Sequence, residues 1–285
     1  MTNVLGIDGG GTKTVAVLTN QTGQLLGMGD GGPSNYQSAG IETARRSLES
    51  AILQATRNNK EPVVAMCLGL AGVGRPEDFR VVRNILEEVI RNTPSVAWSL
   101  QPDSVVICSD SAIALAGGVG HSTGIVAIAG TGSIVFGQNS LGVTKRVGGW
   151  GYLLGDEGGG YNIAIRGLQA ALRAYDGRGM PTILVEEFQK ELSLHSIEEI
   201  VKLVYRSHWK VKEIAALTPI VDRAAATGDA VANTIINEAV EELVLATKIV
   251  SSTLFSPQET YEIVTMGGIW HGRSNLRGRF KTRVK

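Results

Sequence analysis

Apolar residues in the first part of the chain alternate between strand spacing and helical spacing. Short apolar or alternating stretches, which predict β-strands, lie at Val4–Asp8, Thr14–Thr19, Gln24–Met28, Val63–Leu70 and Val105–Cys108. Helical spacing predicts helices at Ile41–Asn58 and Pro76–Arg91. A three-strand start followed by alternating helices and strands predicts an α/β sheet of mixed direction.

The same layout begins again further along the chain. Three short strands are predicted at Gly124–Ala129, Ser133–Gln138 and Val143–Val147. Mainly helical spacing follows, at 157–175, 182–192, 196–205 and 229–253, before a last strand at Glu262–Thr265. We therefore expect two copies of a βββ-led unit with a central cleft, and a boundary that divides the chain into domains 1–118 and 119–285.

Composition sharpens this picture mainly through glycine. The chain has 36 glycines in 285 residues, where average usage is about 7%, and they follow no G-X-Y period. Some function of this protein therefore needs exposed backbone. Basic and acidic residues balance at 27 each, so no overall field attracts nucleic acid or an anionic membrane, and we expect neither as a partner.

Location is indicated by three further features of the sequence. The chain starts directly with a predicted strand, without the cationic and apolar regions of a signal peptide. The uncharged stretch between Asp110 and Lys145 is broken by glycines and polar residues, which disfavours a membrane span. Cys67 and Cys108 lie in apolar runs and are expected to be buried thiols of a reducing cytoplasm.

Two glycine-rich turns occupy equivalent positions in the two halves. The segment D-G-G-G-T-K-T at 8–14 joins the first two strands, and A-G-T-G-S at 129–133 joins the first two strands of the second half. Each could be an ordinary hairpin turn or a nest of backbone N–H groups that binds phosphate. The repetition favours phosphate binding. The first turn is neither a Walker A loop nor a Rossmann fingerprint, because a strand follows it instead of a helix.

Two more motifs carry candidate chemistry. Asp110 stands between Ser109 and Ser111 at the end of a buried strand, and could be either a helix N-cap or a general base that deprotonates a substrate hydroxyl. The segment G-G-W-G-Y-L-L-G-D-E-G at 148–158 combines one Trp with glycines and acids. That composition fits a sugar pocket, although a Trp that covers the core beside a helix start is the alternative.

The order of these motifs resembles a known family. D-G-G-G-T-K-T, L-G-L-A-G, C-S-D-S-A, A-G-T-G-S, G-G-W-G-x-x-x-G-D-E-G and M-G-G follow one another from Val4 to Trp270. This order is similar to that of the N-acetylglucosamine kinases of the BadF/BadG/BcrA/BcrD-type ATPase family, within the actin, sugar-kinase and heat-shock ATPase superfamily. The resemblance implies a two-lobed actin-like, ribonuclease H-like α/β fold built from duplicated βββαβα units.

The resemblance also implies an activity and roles for individual residues. ATP and Mg²⁺ would be the cofactors, and the 6-hydroxyl of N-acetylglucosamine or a related amino sugar would be the acceptor. The implied nucleotide ligands are Gly10, Gly11, Thr12, Thr131, Gly132, Ala225, Gly267 and Gly268. The implied sugar ligands are Asn35, Asp110, Gly149, Trp150 and Asp156, with Asp110 as the catalytic base and Asp8 at the metal. A homodimer is expected by analogy with the family.

The chain departs from the family pattern at its C-terminal end, and two functions other than a sugar kinase are considered. Family members continue beyond the adenosine motif with a further strand and helix, whereas this chain stops at Lys285 after a basic stretch, so we expect a shortened C-terminal end. The same family includes ATPase activators of dehydratases and reductases, which need cysteines to bridge an iron–sulfur cluster. A non-enzymatic, sugar-responsive regulator is the other alternative.

Overall fold

The computed structural model describes residues 2–206 and 209–284. These residues form two compact units, of which the first extends to Ala114 and the second begins at Leu115. The division falls inside one helix, Asp110–Val119. His208, one of the four histidines in the sequence, lies outside the described residues.

Unit 1 contains a five-stranded mixed sheet covered by helices. Its elements are β1 Asn3–Gly9, β2 Thr14–Asn20, β3 Leu25–Gly31, α1 Tyr36–Ala39, α2 Ile41–Thr56, β4 Val63–Leu70, α3 Pro76–Asn92, β5 Val105–Ser109 and the start of α4 Asp110–Val119. The strand order is β3-β2-β1-β4-β5. β1, β2 and β3 pair antiparallel, whereas β4 pairs parallel with both β1 and β5. The mixed direction predicted from the sequence is confirmed.

Glycines on β3 allow α2 to lie against the sheet. Gly27, Gly29 and Gly31 alternate along the strand, and a Cβ on any of them would overlap a carbonyl oxygen of α2, from Ala55, Ala51 and Ser47 respectively. Alternate residues of a strand share one face, so these three positions form a groove for the helix backbone. Part of the glycine excess therefore serves packing rather than ligand binding.

Unit 2 repeats the first four strands of this arrangement. Its strands are β6 Gly124–Ala129, β7 Ser133–Gln138, β8 Thr144–Gly148 and β9 Ile263–Met266, in the order β8-β7-β6-β9. β9 pairs parallel with β6, as β4 does with β1. The duplicated layout is confirmed. Among the described residues of unit 2, no strand corresponds to β5.

Helices make up most of the rest of unit 2. They are α5 Gly160–Tyr175, α6 Leu184–Glu191, α7 Ile200–Arg206, α8 Val211–Ala215, α9 Thr218–Ala226, α10 Ala230–Leu254 and α11 Leu276–Val284. Their apolar faces and the sheet share one core, in which Phe188 and Phe280 are fully buried. α8, α9 and α11 were not assigned individually by the sequence pattern.

Three sequence expectations need correction. The helix expected from 157 begins at Gly160, because Asp156 and Gly158 adopt left-handed backbone angles that end any regular helix there. The third strand begins at Leu25 and extends to Gly31, beyond its expected end. Cys67 and Cys108 are half-buried rather than buried. In the two described ranges, no helix combines the length and apolar character needed to cross a bilayer.

Candidate active site

The first glycine turn links β1 to β2 and leaves donor groups free. The Gly10 N–H donates to the Lys13 carbonyl at 2.9 Å, which closes the turn. The Gly10 carbonyl in turn accepts from the N–H groups of Ser34 and Asn35. Within the described chain, the N–H groups of Gly11 and Thr12 have no acceptor, and both residues are exposed. An exposed pair of unpaired N–H groups is suited to bind phosphate oxygens.

Asn35 lies beside this turn and serves as the N-cap of α1. Its Oδ1 accepts from the Gln37 N–H at 3.1 Å, and its amide NH₂ has no acceptor among the residues that the structure describes. The buried carboxylate of Asp78 holds α1 in place by accepting from the Tyr36 hydroxyl and the Gln37 amide. A rigid amide that offers two N–H donors can orient a substrate hydroxyl.

Asp110 begins α4 but does not cap it. The Ser109 hydroxyl accepts from the Ala112 N–H at 3.2 Å, which is the bond expected of an N-cap. Asp110 Oδ1 instead accepts from the N–H of its neighbour Ser111 at 2.8 Å and from the Ser111 hydroxyl at 3.3 Å, and its other carboxylate oxygen accepts from no other residue of the described chain. Of the two interpretations of Asp110, the cap belongs to Ser109, and the Asp110 carboxylate is left available for chemistry.

The electrostatic environment makes Asp110 a better proton acceptor. Burial raises the pKa of Asp110, and the nearby Asp8 carboxylate raises it further, against the Ser111 hydrogen bonds that lower it. A carboxylate whose pKa lies closer to neutral accepts a proton more readily in the course of a reaction.

Two thiols lie on neighbouring strands of the unit 1 sheet, on β4 and on β5, the strand that precedes Asp110. Cys67 on β4 and Cys108 on the adjacent β5 lie close enough to affect each other's ionisation, and the Cys108 thiol donates weakly to the Leu68 carbonyl at 3.6 Å. The interaction with Cys108 lowers the pKa of Cys67 to about 7, whereas the interaction with Cys67 and burial raise the pKa of Cys108. Within the described ranges, no group of three or more His, Cys, Asp or Glu side chains is arranged to hold a metal by itself.

The second glycine turn also joins two antiparallel strands, and it is held by more contacts than the first. The Gly130 N–H donates to the Gly132 carbonyl at 2.9 Å, and the first N–H groups of α5 donate to the carbonyls of Gly130 and Thr131. In the described residues, the N–H groups of Thr131 and Gly132 have no acceptor. This turn therefore offers a second pair of donors for an anion.

Close packing brings two other predicted residues to this turn. A Cβ on Gly132 would overlap the Asp156 carboxylate, and one on Gly267 would overlap the Ala129 carbonyl. The structure therefore places Thr131, Gly132, Asp156 and Gly267 together in unit 2.

Trp150 lies on an open loop, rather than in the core. It is 58% exposed, and the Arg146 guanidinium lies 4.8 Å from its ring centroid. The Gly149 N–H donates to the Ser133 carbonyl, and the Gly151 N–H to Asp156 Oδ1. Burial raises the pKa of Asp156, an effect that the Gly151 hydrogen bond partly offsets. Ligand pockets typically combine aromatic side chains with a few precisely placed polar groups, and Trp150 and Asp156 provide one of each.

A cavity of about 710 Å³ opens beside the second turn. Gly130, Thr131 and Gly268 line one part of it. α8, α9 and the segment after β9 supply most of the rest, and α5 and α10 contribute one residue each. Its titratable lining residues are Lys212, Asp222, Arg223, His271 and Arg273. Ligand pockets typically measure about 300–1,000 Å³, so this volume can hold a nucleotide.

Ala225 is separated from the other predicted nucleotide ligands. It is 4% exposed in the core of unit 2, and its carbonyl accepts from the Asn233 amide. Of the described residues of α9, it is Thr218, Pro219, Asp222 and Arg223 that line the cavity. Sequence reasoning missed Asp222, although an acid among the apolar residues of an amphipathic helix indicates a buried role.

Fold and site together define the class of the protein. Two units that each open with three antiparallel strands, joined by glycine turns with free N–H groups, constitute the actin-like ATPase fold. The model of the BadF/BadG/BcrA/BcrD ATPase family matches residues 5–285, and the chain belongs to that family.

Individual relatives agree with this assignment. The chain is similar to an N-acetylmuramic acid/N-acetylglucosamine kinase from Clostridium acetobutylicum, with 37% identity over 99% of this chain and 90% of the relative. It is 32% identical to an N-acetyl-D-glucosamine kinase from Dictyostelium discoideum, over 93% of this chain and 84% of the relative. A crystal structure of a candidate N-acetylglucosamine kinase from Chromobacterium violaceum matches with a TM-score of 0.71 and 26% identity, over 99% and 93% of the two chains.

Proposed function

We propose that this protein is an ATP-dependent kinase that phosphorylates a hydroxyl of an amino sugar, with the 6-hydroxyl of N-acetylglucosamine as the leading candidate. The observation that carries the proposal concerns Asp110. Its carboxylate is half-buried, has a raised pKa and does not cap α4, because Ser109 makes that hydrogen bond. The names of the relatives support the substrate class.

The reaction needs a base for the acceptor and donors for the phosphates. An Asp110 carboxylate oxygen accepts the proton of the sugar hydroxyl as the hydroxyl oxygen bonds to the γ-phosphorus of ATP and the bond to ADP breaks. The free N–H groups of Gly11, Thr12, Thr131 and Gly132 are the proposed phosphate ligands. Phosphoryl transfer depends mainly on such positioning and charge stabilisation.

Binding of the sugar is assigned to four further residues. The free NH₂ of Asn35 would donate to a sugar hydroxyl, and Asp156 would accept from another. Trp150 would offer its ring and Gly149 the close approach of backbone. Gly10, Gly267 and Gly268 are assigned to the nucleotide, whereas the buried position of Ala225 gives no support to direct contact.

The donor set in unit 1 fits a hard divalent cation. Asp8 is exposed, and its carboxylate lies close enough to Asp110 to raise the pKa of Asp110. Mg²⁺ prefers one or two carboxylates together with phosphate oxygens and waters, and Asp8 is the residue that would hold it. When bound, Mg²⁺ would neutralise charge on the transferring phosphate.

The experiment that tests the function is a coupled assay of ATP consumption. N-acetylglucosamine, N-acetylmuramic acid, glucosamine and glucose are supplied in turn, and mass spectrometry of the product locates the phosphate. Sugar-stimulated ATP use with at least one amino sugar is expected. If none of these sugars stimulates ATP use, the kinase assignment is wrong.

Replacement of the base gives a second, sharper test. Asp110→Asn should fold, because Ser109 caps α4, and should bind sugar with little change. Its kcat should fall about 10²- to 10⁴-fold, the usual contribution of a general base. Turnover within about threefold of the parent would remove Asp110 from this role.

A further inference from the structure

Asp222 has an unusual position for an acid in unit 2. It lies on α9, is only 9% exposed, and is one of the residues that line the 710 Å³ cavity. A buried carboxylate is costly unless hydrogen bonds satisfy it. Its partners therefore indicate why it is there.

Both carboxylate oxygens of Asp222 are occupied by one short segment of chain. Oδ2 accepts from the Arg273 N–H at 2.6 Å. Oδ1 accepts from the Ser274 N–H at 3.1 Å and from the Ser274 hydroxyl at 2.6 Å. Hydrogen bonds to an ionised carboxylate are roughly twice as strong as neutral ones, so the three together fix this segment to α9.

The fixed segment follows directly on the Gly267–Gly268 motif. The 3₁₀ turn Gly268–His271 leads into it, and α11 begins just after it at Leu276. A Cβ on Gly272 would overlap Asp222 Oδ1, so the backbone packs directly on the carboxylate. Gly268, His271, Gly272 and Arg273 all line the cavity. One wall of the cavity therefore depends on one side chain of α9.

We propose that Asp222 is a positioning residue for the nucleotide, which acts by holding the 268–274 segment as one wall of the cavity. The role assigned to Asp222 is indirect, since both its oxygens already accept hydrogen bonds from the 273–274 backbone and the Ser274 hydroxyl. The inference rests on the proposed function for the identity of the ligand, a nucleoside triphosphate. It adds a residue that acts on nucleotide affinity and not on the chemical step.

The test compares Asp222→Asn with a matched control. The amide of Asn presents an NH₂ group to one of the N–H donors, so at least one hydrogen bond to the segment is lost. Asp229 provides the control, since its carboxylate also accepts from two backbone N–H groups, of Ile183 and Ala232, and from one hydroxyl, of Thr182. It caps α10 and lies outside the residues that line the cavity.

Two readouts separate positioning from general stability. The Kd of the non-hydrolysable analogue AMP-PNP, measured by calorimetry, should rise about tenfold or more in Asp222→Asn, as expected when charge-assisted hydrogen bonds are lost. The KM for ATP should rise in parallel, with kcat and the KM for sugar unchanged within about twofold. Asp229→Asn should lower the melting temperature about as much as Asp222→Asn does. It should leave the Kd of AMP-PNP and the KM for ATP unchanged.

A milder variant keeps the test decisive if Asp222→Asn fails to fold. Ser274→Ala removes one of the three hydrogen bonds and should raise the Kd of AMP-PNP about two- to fivefold. Wild-type AMP-PNP affinity in a folded Asp222→Asn, or in Ser274→Ala when that is the variant that folds, would overturn the inference. An absence of sugar-stimulated ATP use by the wild type would contradict the proposed function alone, because AMP-PNP binding is measured without sugar.

Discussion

At the scale of single residues, the site depends on which atoms are used to cap the neighbouring helices and which are left for a ligand. Ser109 caps α4, so Asp110 keeps a carboxylate oxygen free. The N-cap of α1 uses only the Oδ1 of Asn35, so its NH₂ remains a donor. Sequence reasoning selected Asn35 as a sugar ligand without foreseeing its cap, and left Asp110 undecided between cap and base, because an Asp at a helix start is compatible with either role.

Asp156 should separate stability from function. Asp156→Asn should fold at least as well as the wild type, because the position is left-handed with φ 61° and Asn adopts that region readily. The raised pKa of Asp156 means that its ionised form is disfavoured in the folded state. Folding stability of the wild type should therefore fall relative to the variant as pH rises through and above the unfolded-state pKa of about 3.9.

Denaturant unfolding at a series of pH values from 3.5 to 7 measures this difference. The free energy of unfolding of Asp156→Asn minus that of the wild type should increase with pH in this series. The sugar-dependent activity of the variant should be lower than that of the wild type. A difference that shrinks toward neutral pH would show that the ionised carboxylate stabilises the fold.

Cys67 should react at neutral pH in spite of its position in a strand. With a pKa of about 7, half of its thiol is ionised there, whereas the raised pKa of Cys108 keeps that thiol protonated. Alkylation by iodoacetamide, followed by peptide mass spectrometry, should label Cys67 first, with a rate midpoint near pH 7. Cys67→Ser should abolish the fast phase, and preferential labelling of Cys108 would contradict the assignment.

At the scale of elements, β3 and α2 show what a glycine pattern can mean. Strand periodicity predicted β1, β4, β6 and β7 closely because their apolar residues are continuous. β3 was placed less accurately, since its alternating glycines carry no hydrophobic signal. α8 and α9 were also not assigned individually, because short helices depend strongly on tertiary packing. α6 and α7 are equally short and were predicted only as parts of longer stretches with helical spacing.

A substitution in this groove tests the close approach of strand and helix. Gly29→Ala would force a Cβ onto the Ala51 carbonyl of α2, and overpacking of this kind typically costs about 1–3 kcal/mol. Gly117→Ala is the control, because Gly117 lies exposed in α4 and a Cβ added there would meet no atom within 4 Å. It should stabilise the protein by about 0.5–1 kcal/mol, the usual gain from Gly to Ala in a helix. Urea denaturation of both variants measures the change in the free energy of unfolding, which should be negative for Gly29→Ala and positive for Gly117→Ala.

At the scale of the whole molecule, a balanced charge conceals local separation. The 27 basic and 27 acidic residues cancel, yet three cationic residues, Lys212, Arg223 and Arg273, line the cavity of unit 2 beside a single acid, Asp222. The sequence predicted the duplicated α/β architecture and the glycine turns because these depend on local periodicity. It could not predict this basic cavity, whose residues come from three separate segments and share no motif.

Salt should therefore weaken nucleotide binding more than sugar binding. Screening lengths shrink from about 10 Å at 0.1 M to about 3 Å at 1 M ionic strength, and a triphosphate is far more charged than an amino sugar. The KM for ATP should rise several-fold between low and high NaCl, while the KM for the sugar changes little. Lys212→Ala should reduce this salt dependence, and an equal rise in both constants would indicate a general effect on folding.

The division of labour between Ser109 and Asp110 has a practical consequence. A helix that keeps its cap when the neighbouring base is removed yields a protein that is inert toward its substrates but still recognises them. Asp110→Asn immobilised on a solid support would act as a capture reagent, able to retain from a mixture the sugars that the kinase accepts. Elution of the bound sugars, followed by mass spectrometry, would then identify the natural acceptor of the kinase in a cell extract.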